Sequence, residues 1–275
     1  MKRLQLIIWF LTIATSIAAQ GYTVKGKIIN EIGEAVEYAT VGIPGTMHGT
    51  LSGIDGVFEF TLPHECCDTL VVTHISYNKA TIAPDIYKNS SDTLVITMQS
   101  HELEELVVYS GKRKKAKLSN RGIRFAGTVT SLGIDRIGYE IGSIIEVKHP
   151  FEVNEIVFNT ISNKIENARL SVNIYSIDDS GTIFTNIMHH PVYIEIPVGD
   201  RKREHKVLPD KSIYIEPGNY YVAVKFVDGK SNDPQKEHLL FPLYLKSGYI
   251  RNSAVEYPEK IPVNLGIMIN GYEYR

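Results

Sequence analysis

Tyr22-Thr-Val-Lys-Gly-Lys-Ile-Ile-Asn-Glu-Ile-Gly-Glu-Ala-Val-Glu-Tyr-Ala-Thr-Val-Gly-Ile-Pro-Gly-Thr-Met-His-Gly-Thr-Leu-Ser-Gly-Ile-Asp-Gly-Val-Phe-Glu-Phe-Thr-Leu62 decides the fold class. Short runs of Val, Ile, Thr and Phe alternate with turn residues, the pattern of strands that bury one face. Asp55-Gly56 lies between two such runs, and an Asp-Gly pair in that position predicts a tight hairpin. The stretch is therefore read as a β module.

Working outward, Asp68 to Tyr77 reads as a strand with Leu70, Val72 and His74 on one face and Val71, Thr73 and Ile75 on the other. Apolar residues on both faces suit a strand in the middle of a sandwich. Asp92 to Met98 supplies another strand, and Leu103 to Tyr109 closes the module. The order of these parts is more specific than any one turn. A Gly-bearing strand (Val24 to Asn30) leads to an acidic Gly turn, an Ala-Thr-Val strand at Ala39, Gly45-Thr46, Gly49-Thr50 and Asp55-Gly56-x-Phe58.

That order resembles the carboxypeptidase-regulatory-like domain, a small transthyretin-like (prealbumin-like) sandwich found at the start of exported and outer-membrane proteins of the Bacteroidetes type. Ser76 and Ser52-Gly53 depart from the family pattern at turns or edges. The resemblance implies a fold and a cellular address, and no activity. In large outer-membrane receptors a plug and barrel follow such a module. Residues 111–275 are too few for a barrel of ~22 strands of about ten residues each.

The address is also written at the N-terminus. Lys2 and Arg3 precede the apolar run Leu6 to Ile13, and Ala18-Ala19 follow, which predicts a secretory signal peptide over residues 1–19. The run is too short to span a bilayer, so the mature chain is expected in the periplasm, at the cell surface or secreted, with no transmembrane segment after cleavage. Cys66 and Cys67 are the only cysteines; as neighbours they form no long-range staple and are expected to act as small apolar side chains at a turn or strand edge.

The chain is organised as the regulatory-like sandwich at 20–109, a basic linker at 110–124 and a second sandwich at 125–275. The first part is acidic, with four Lys and Arg against twelve Asp and Glu, a net charge of −8. Residues 111–124 hold seven basic and no acidic side chains, and as a solvated linker they could contact an acidic surface. Interleaved aromatics are missing from this block, so nucleic acid is not an expected partner. Beyond it come short β-branched or aromatic runs at Tyr139–Val147, Val153–Thr160, Ala168–Ile177, Val192–Ile196, Arg203–Leu208, Ile213–Ile215, Tyr220–Val227, Leu239–Leu245 and Val263–Asn270. They predict a jelly-roll-like sandwich, and the fold class as a whole is all-β. Pro217-Gly218 reads as the turn of a late hairpin.

Chemistry-bearing constellations are sparse. His101 and Glu104 have the spacing of a zinc pair, but zinc needs a third ligand, an open position and a walled pocket. His189-His190 precede Pro191 in a surface loop, and Asp178-Asp179 belong to a turn. No Gly-x-Ser-x-Gly, His-Glu-x-x-His or phosphate-cradling Gly loop occurs, so neither catalytic residues, metal nor cofactor is expected. Sixteen tyrosines are present, several of them late (Tyr244, Tyr249, Tyr257, Tyr272, Tyr274), and Tyr244 and Tyr249 are candidates for stacking on sugar rings. Thr69 and Thr93, each in Asp-Thr-Leu, match a short O-glycosylation pattern of exported proteins in this bacterial group.

The expectation is a non-enzymatic, envelope-associated binding or structural protein whose partner is an envelope protein or a glycan. Two alternatives stay open: a carbohydrate-binding accessory protein of an outer-membrane glycan uptake system, and a hydrolase whose site is dispersed over residues 125–275.

Overall fold

The computed structural model describes residues 21–89, 93–100, 111–124, 127–199 and 201–275. The expected signal segment at residues 1–19, the His101/Glu104 pair, Asp92 and the closing segment Leu103 to Tyr109 lie outside the described residues. The N-terminal part contains β1 (Tyr22–Asn30), β2 (Thr40–Gly42), β3 (Gly49–Leu51), β4 (Val57–Leu62), β5 (Leu70–His74), β6 (Tyr77–Ile82), the short helix α1 (Pro84–Asn89) and β7 (Leu94–Met98). One sheet runs β4-β1-β7 and the other β3-β2-β5-β6. Between them Val24, Ile28, Phe58, Leu62 and Met98 meet Val41, Leu70, Val72 and Ile82 in one core. Strict alternation in β1 makes this possible, since Val24, Gly26 and Ile28 face inward and the lysines between them face water. Gly26 is opposite Phe58, whose ring occupies the space a β-carbon there would need.

Asp55-Gly56 makes a turn but not a hairpin. The strands it joins, β3 and β4, belong to different sheets, so the turn is a corner of the sandwich. Gly56 is held at φ +78° with its α-carbon against the Ile28 carbonyl, which leaves no room for a side chain.

The second part contains β8 (Arg113–Ser119), β9 (Val129–Leu132), β10 (Glu140–Val147), β11 (Phe151–Thr160), β12 (Ser162–Asn163), β13 (Glu166–Ile177), β14 (Phe184–Asn186), β15 (Val192–Ile196), β16 (Arg203–Val207), β17 (Ile213–Ile215), β18 (Gly218–Lys230), β19 (Leu239–Pro242), β20 (Gly248–Arg251), β21 (Glu259–Ile261) and β22 (Met268–Tyr274). The larger sheet runs β14-β13-β18-β10-β20-β21 with β15 also on β13; its partner runs β16-β11-β22-β8 with β17 also on β11. The chain passes from one sheet to the other at β10–β11, β15–β16 and β17–β18, so the two are faces of one sandwich. The core between them includes Ile141, Phe151, Phe158, Leu170, Val172, Val222, Val224, Phe226 and Ile269. The chain is thus all-β, one sandwich followed by another.

Three expectations are corrected here. The basic block is not a linker: Arg113–Ser119 is β8, paired antiparallel with β22 from Arg113↔Tyr274 to Ser119↔Met268. Ala116 and Leu118, spaced by two, pack on the core while the charged residues around them face water. The second sandwich therefore begins before residue 125, at an edge strand whose lysines discourage pairing with other chains. Pro217-Gly218 also joins no hairpin, because β17 and β18 lie in opposite sheets. Finally, the run read at Val263–Asn270 is displaced to Met268–Tyr274. Gly266 at φ +62° and the Asn264 side chain, which accepts from Gly266 N and donates to the Asn120 and Lys246 carbonyls, hold the preceding residues in a bend.

Candidate functional site

The residues nominated from sequence do not converge. Tyr244 and Tyr249 are only 5% and 6% exposed and present no face to a sugar, which corrects that expectation. Tyr249 is enclosed by Phe184, Tyr221 and Tyr175 on the outer face of the larger sheet, and Tyr244 lies against Gly266 with the Arg121 guanidinium 5.0 Å from its ring. Their burial follows from β20 and the bend at Asn264 being interior features, which composition does not reveal. Thr69 and Thr93 are exposed, each immediately before the strand that starts at Leu70 or Leu94. His189 and His190 are exposed in a bend. Asp178 caps its own turn, accepting from the Ser180 hydroxyl and from Ile183 N and Thr182 N, which brings its carboxyl down to about 2. Among the described residues no group of three His, Cys, Asp or Glu is placed to hold a metal. Both cysteines are free thiols; Cys66 packs on the first core, and exposed Cys67 accepts from Lys88 Nζ at 3.0 Å.

What the fold does bring together is a buried charge cluster that the sequence reading missed. Glu140 on β10 is opposite Lys225 on β18 and Arg251 on β20, so adjacent strands place a cation on each side of the carboxylate. Glu140 is fully buried. Its Oε2 accepts from the Tyr175 hydroxyl at 2.9 Å and Asn173 Nδ2 at 3.1 Å, with Lys225 Nζ at 3.8 Å; Arg251 Nη1 is 3.9 Å from Oε1. Burial lowers the Lys225 ammonium and the carboxylate only partly restores it. For Arg251 burial acts in the same direction, but Glu140 together with Tyr175 and Tyr221 outweighs it and holds the guanidinium above its usual value. A signal was present in the sequence: Lys225 interrupts Tyr221, Ala223 and Val227 on the alternate face of β18, an ionic residue inside an otherwise apolar strand.

The cluster lies beside the seam between the two sandwiches. Tyr38, Leu51, Val227 and Ala254 form a small core of their own across it. The Tyr38 hydroxyl donates to Asp228 at 3.0 Å and accepts from Arg169 at 3.2 Å, and its ring meets Tyr193 edge-on at 5.2 Å. Burial and the Asp228 charge push this phenol up to about 12, so it remains a donor at all ordinary pH. Gly42, Gly45 and Gly49 of the β2–β3 hairpin leave room for Val255 and Tyr257, while Gly45 N donates to the Val255 carbonyl at 2.8 Å. His74, at the end of β5, reaches the same side: burial and the nearby Lys225 charge lower its imidazole to about 4.

A second arrangement occupies the outer face of the smaller sheet. Glu152 on β11 is nearly buried and accepts from the Tyr274 hydroxyl at 2.6 Å, Ser212 at 3.0 Å, Asn154 at 3.3 Å and Arg113 at 2.9 Å. These bonds outweigh the effect of burial and hold its carboxyl below the usual range. Arg113 also lies 3.6 Å above the Tyr272 ring. Lys115 and Lys117 continue the row along β8, opposite Tyr272 and Asn270.

Compared with known families, residues 24–108 match the model of the CarboxypepD_reg-like domain, so this part of the chain carries such a domain. No curated protein matches the sequence. Solved structures give distant similarities. A two-domain protein of unknown function from Bacteroides fragilis aligns at 9% identity and TM-score 0.22, covering 94% of this chain and 82% of that one. The cysteine protease and lectin-like domains of a surface-layer-associated protein of Clostridium difficile align at 10% identity and TM-score 0.28, covering 87% of this chain, which spans 59% of that protein's chain. The T13 particle of infectious bursal disease virus aligns at 10% identity and TM-score 0.29, over 93% of this chain and 73% of that one. Similarities this weak carry nothing about what the present chain binds.

Proposed function

We propose that the protein is an exported, non-enzymatic scaffold of the cell envelope that presents the outer face of its smaller sheet to a partner. The export reading rests on the N-terminal segment at residues 1–19 and on the regulatory-like domain that follows it. The partner reading rests on one observation: Arg113, fixed by Glu152 and Tyr272, starts a rigid row of cations along β8. Lysines held on a strand at ~6.6 Å intervals are a fixed array, and a fixed array meets an anionic surface at less entropic cost than a mobile linker would. Glu140 and Glu152, the buried carboxylates among the described residues, are engaged with tyrosine hydroxyls and cations, which supports a structural role for both. The test is capture of partners from the envelope of the native host with the wild-type chain and with Lys115→Glu/Lys117→Glu. Loss of the captured species in the variant supports the reading; equal capture by both ends it.

A glycan-binding reading draws on the same face rather than on Tyr244 and Tyr249. Tyr214 and Tyr272 flank Glu152 in register there, Arg113 covers one face of Tyr272, and Asn154 and Asn270 lie nearby, a set of planar polar groups around a ring that suits sugar hydroxyls. Binding on a glycan array that disappears in Tyr272→Ala favours it, and a blank array removes it.

A further inference from the structure

We propose that Glu140, Lys225 and Arg251, closed from the other side of the seam by His74, form a binding site for a small monovalent oxyanion bearing one hydroxyl, with the size and chemistry of bicarbonate. Charge is the first argument. Two cations share one carboxylate in a place where Glu140 is fully buried and the Lys225 and Arg251 side chains are 12% and 13% exposed. An uncompensated charge away from water is costly, and the cluster relieves it by losing a proton or gaining an anion. The downward shift of Lys225 expresses the first route; an anion of single charge provides the second.

Hydrogen bonding is the second argument, and it narrows the anion. Two polar atoms of the cluster, Glu140 Oε1 and Arg251 Nε, are buried without a hydrogen-bond partner, and so is His74 Nε2, on the segment whose Ile75 packs against the second core near Lys225. His74 Nδ1 accepts from Ser76 N at 3.1 Å, which leaves the proton on Nε2, so His74 and Arg251 are donors in search of an acceptor. Glu140 Oε1 is an acceptor in search of a donor. A halide or nitrate accepts but gives no hydrogen to Oε1. Water gives and accepts but leaves the surplus charge. A dianion overcompensates. An oxyanion with one hydroxyl donates to Oε1, accepts from the two nitrogens and Lys225, and balances the charge. Because His74 belongs to the N-terminal sandwich and the other three residues to the second, occupancy would also strengthen the seam.

The test is thermal unfolding of the full chain, at fixed pH and ionic strength, titrated with sodium bicarbonate and in parallel with sodium chloride and sodium nitrate. The expected result is a saturable rise of a few degrees with bicarbonate alone, the linkage signature of a ligand that binds the native state. Lys225→Met leaves Glu140 and Arg251 balanced, so it should fold and lose the bicarbonate response; His74→Phe, at the rim, should weaken the response severalfold. Equal responses to all three salts, no response to any, or an undiminished response in Lys225→Met would each overturn the proposal.

Discussion

At the scale of single residues, this chain assigns its charged groups to fixed partners, and the consequences are measurable. Glu140→Gln removes the carboxylate that both Lys225 and Arg251 share. Leaving buried cations without it should cost about 3–5 kcal/mol in denaturant unfolding. Adding Lys225→Met to that variant should recover part of the loss, since one of the orphaned charges is gone; strict additivity of the two changes would argue against the pairing. Gly56→Ala tests a backbone requirement. At φ +78° with the Ile28 carbonyl in the way, alanine should cost about 1–3 kcal/mol, far above its effect at an unstrained turn. Several of these residues were legible as types but not as places. Asp55-Gly56 announces a turn, yet a two-residue signal is silent on whether the strands it joins share a sheet. Tyr244 and Tyr249 look like any other late tyrosine until the strands around them are laid down.

At the scale of elements, the strands that were legible are those in which one physical signal dominates. Val192–Ile196 and Ile213–Ile215 stand in the structure as read, because β-branched runs bounded by turn residues have no competing interpretation. β9, β12, β14, β20 and β21 were not read, being two to four residues long and too short to show a period. β8 was missed for a different reason: its charge masked its alternation. Only Ala116 and Leu118 carry the inward pattern, and they suffice because β22 supplies a complete hydrogen-bonded edge. Leu118→Lys should therefore cost about 2–3 kcal/mol and raise the amide hydrogen exchange of β8 ahead of global unfolding. The outward pair Lys115→Glu/Lys117→Glu should shift stability by less than about 0.5 kcal/mol, which separates its loss of partner capture from any loss of fold. The buried charge cluster escaped sequence reading because β18 is covered on both faces, and period-two reasoning expects water on one of them.

For the molecule as a whole, the seam decides whether the two sandwiches act as one body. Gly45, at φ +76°, lies directly under the Tyr257 ring. That ring is 70% exposed and can swing clear, so the seam is tested at Val227, buried in the small core across it: Val227→Asp should split the cooperative unfolding of the whole into two transitions with an increase in the solution radius of gyration. A single unchanged transition would show that the seam contributes little. Acid should loosen the same region. His74 titrates near 6.5 when unfolded and about 4 when folded, so the unfolded chain binds the extra proton first. The stability tied to keeping this imidazole neutral is complete above pH 6.5 and is lost as pH falls from there toward 4, a total of about 3 kcal/mol at ~1.36 kcal/mol per unit. Denaturation midpoints across that window should flatten in His74→Phe.

The β8–β22 ladder also sets how the second sandwich bears load. Lys112 and Arg275 exchange backbone hydrogen bonds, so the two ends of this ladder by which the sandwich can be gripped lie side by side. Tension applied between Gly111 and Arg275 would open the ladder from that end, parting its bonds in sequence instead of shearing them together. In a pulling experiment this body should yield at low force, β8 peeling away like a zipper, while β22 stays clasped to β11 until that edge has gone.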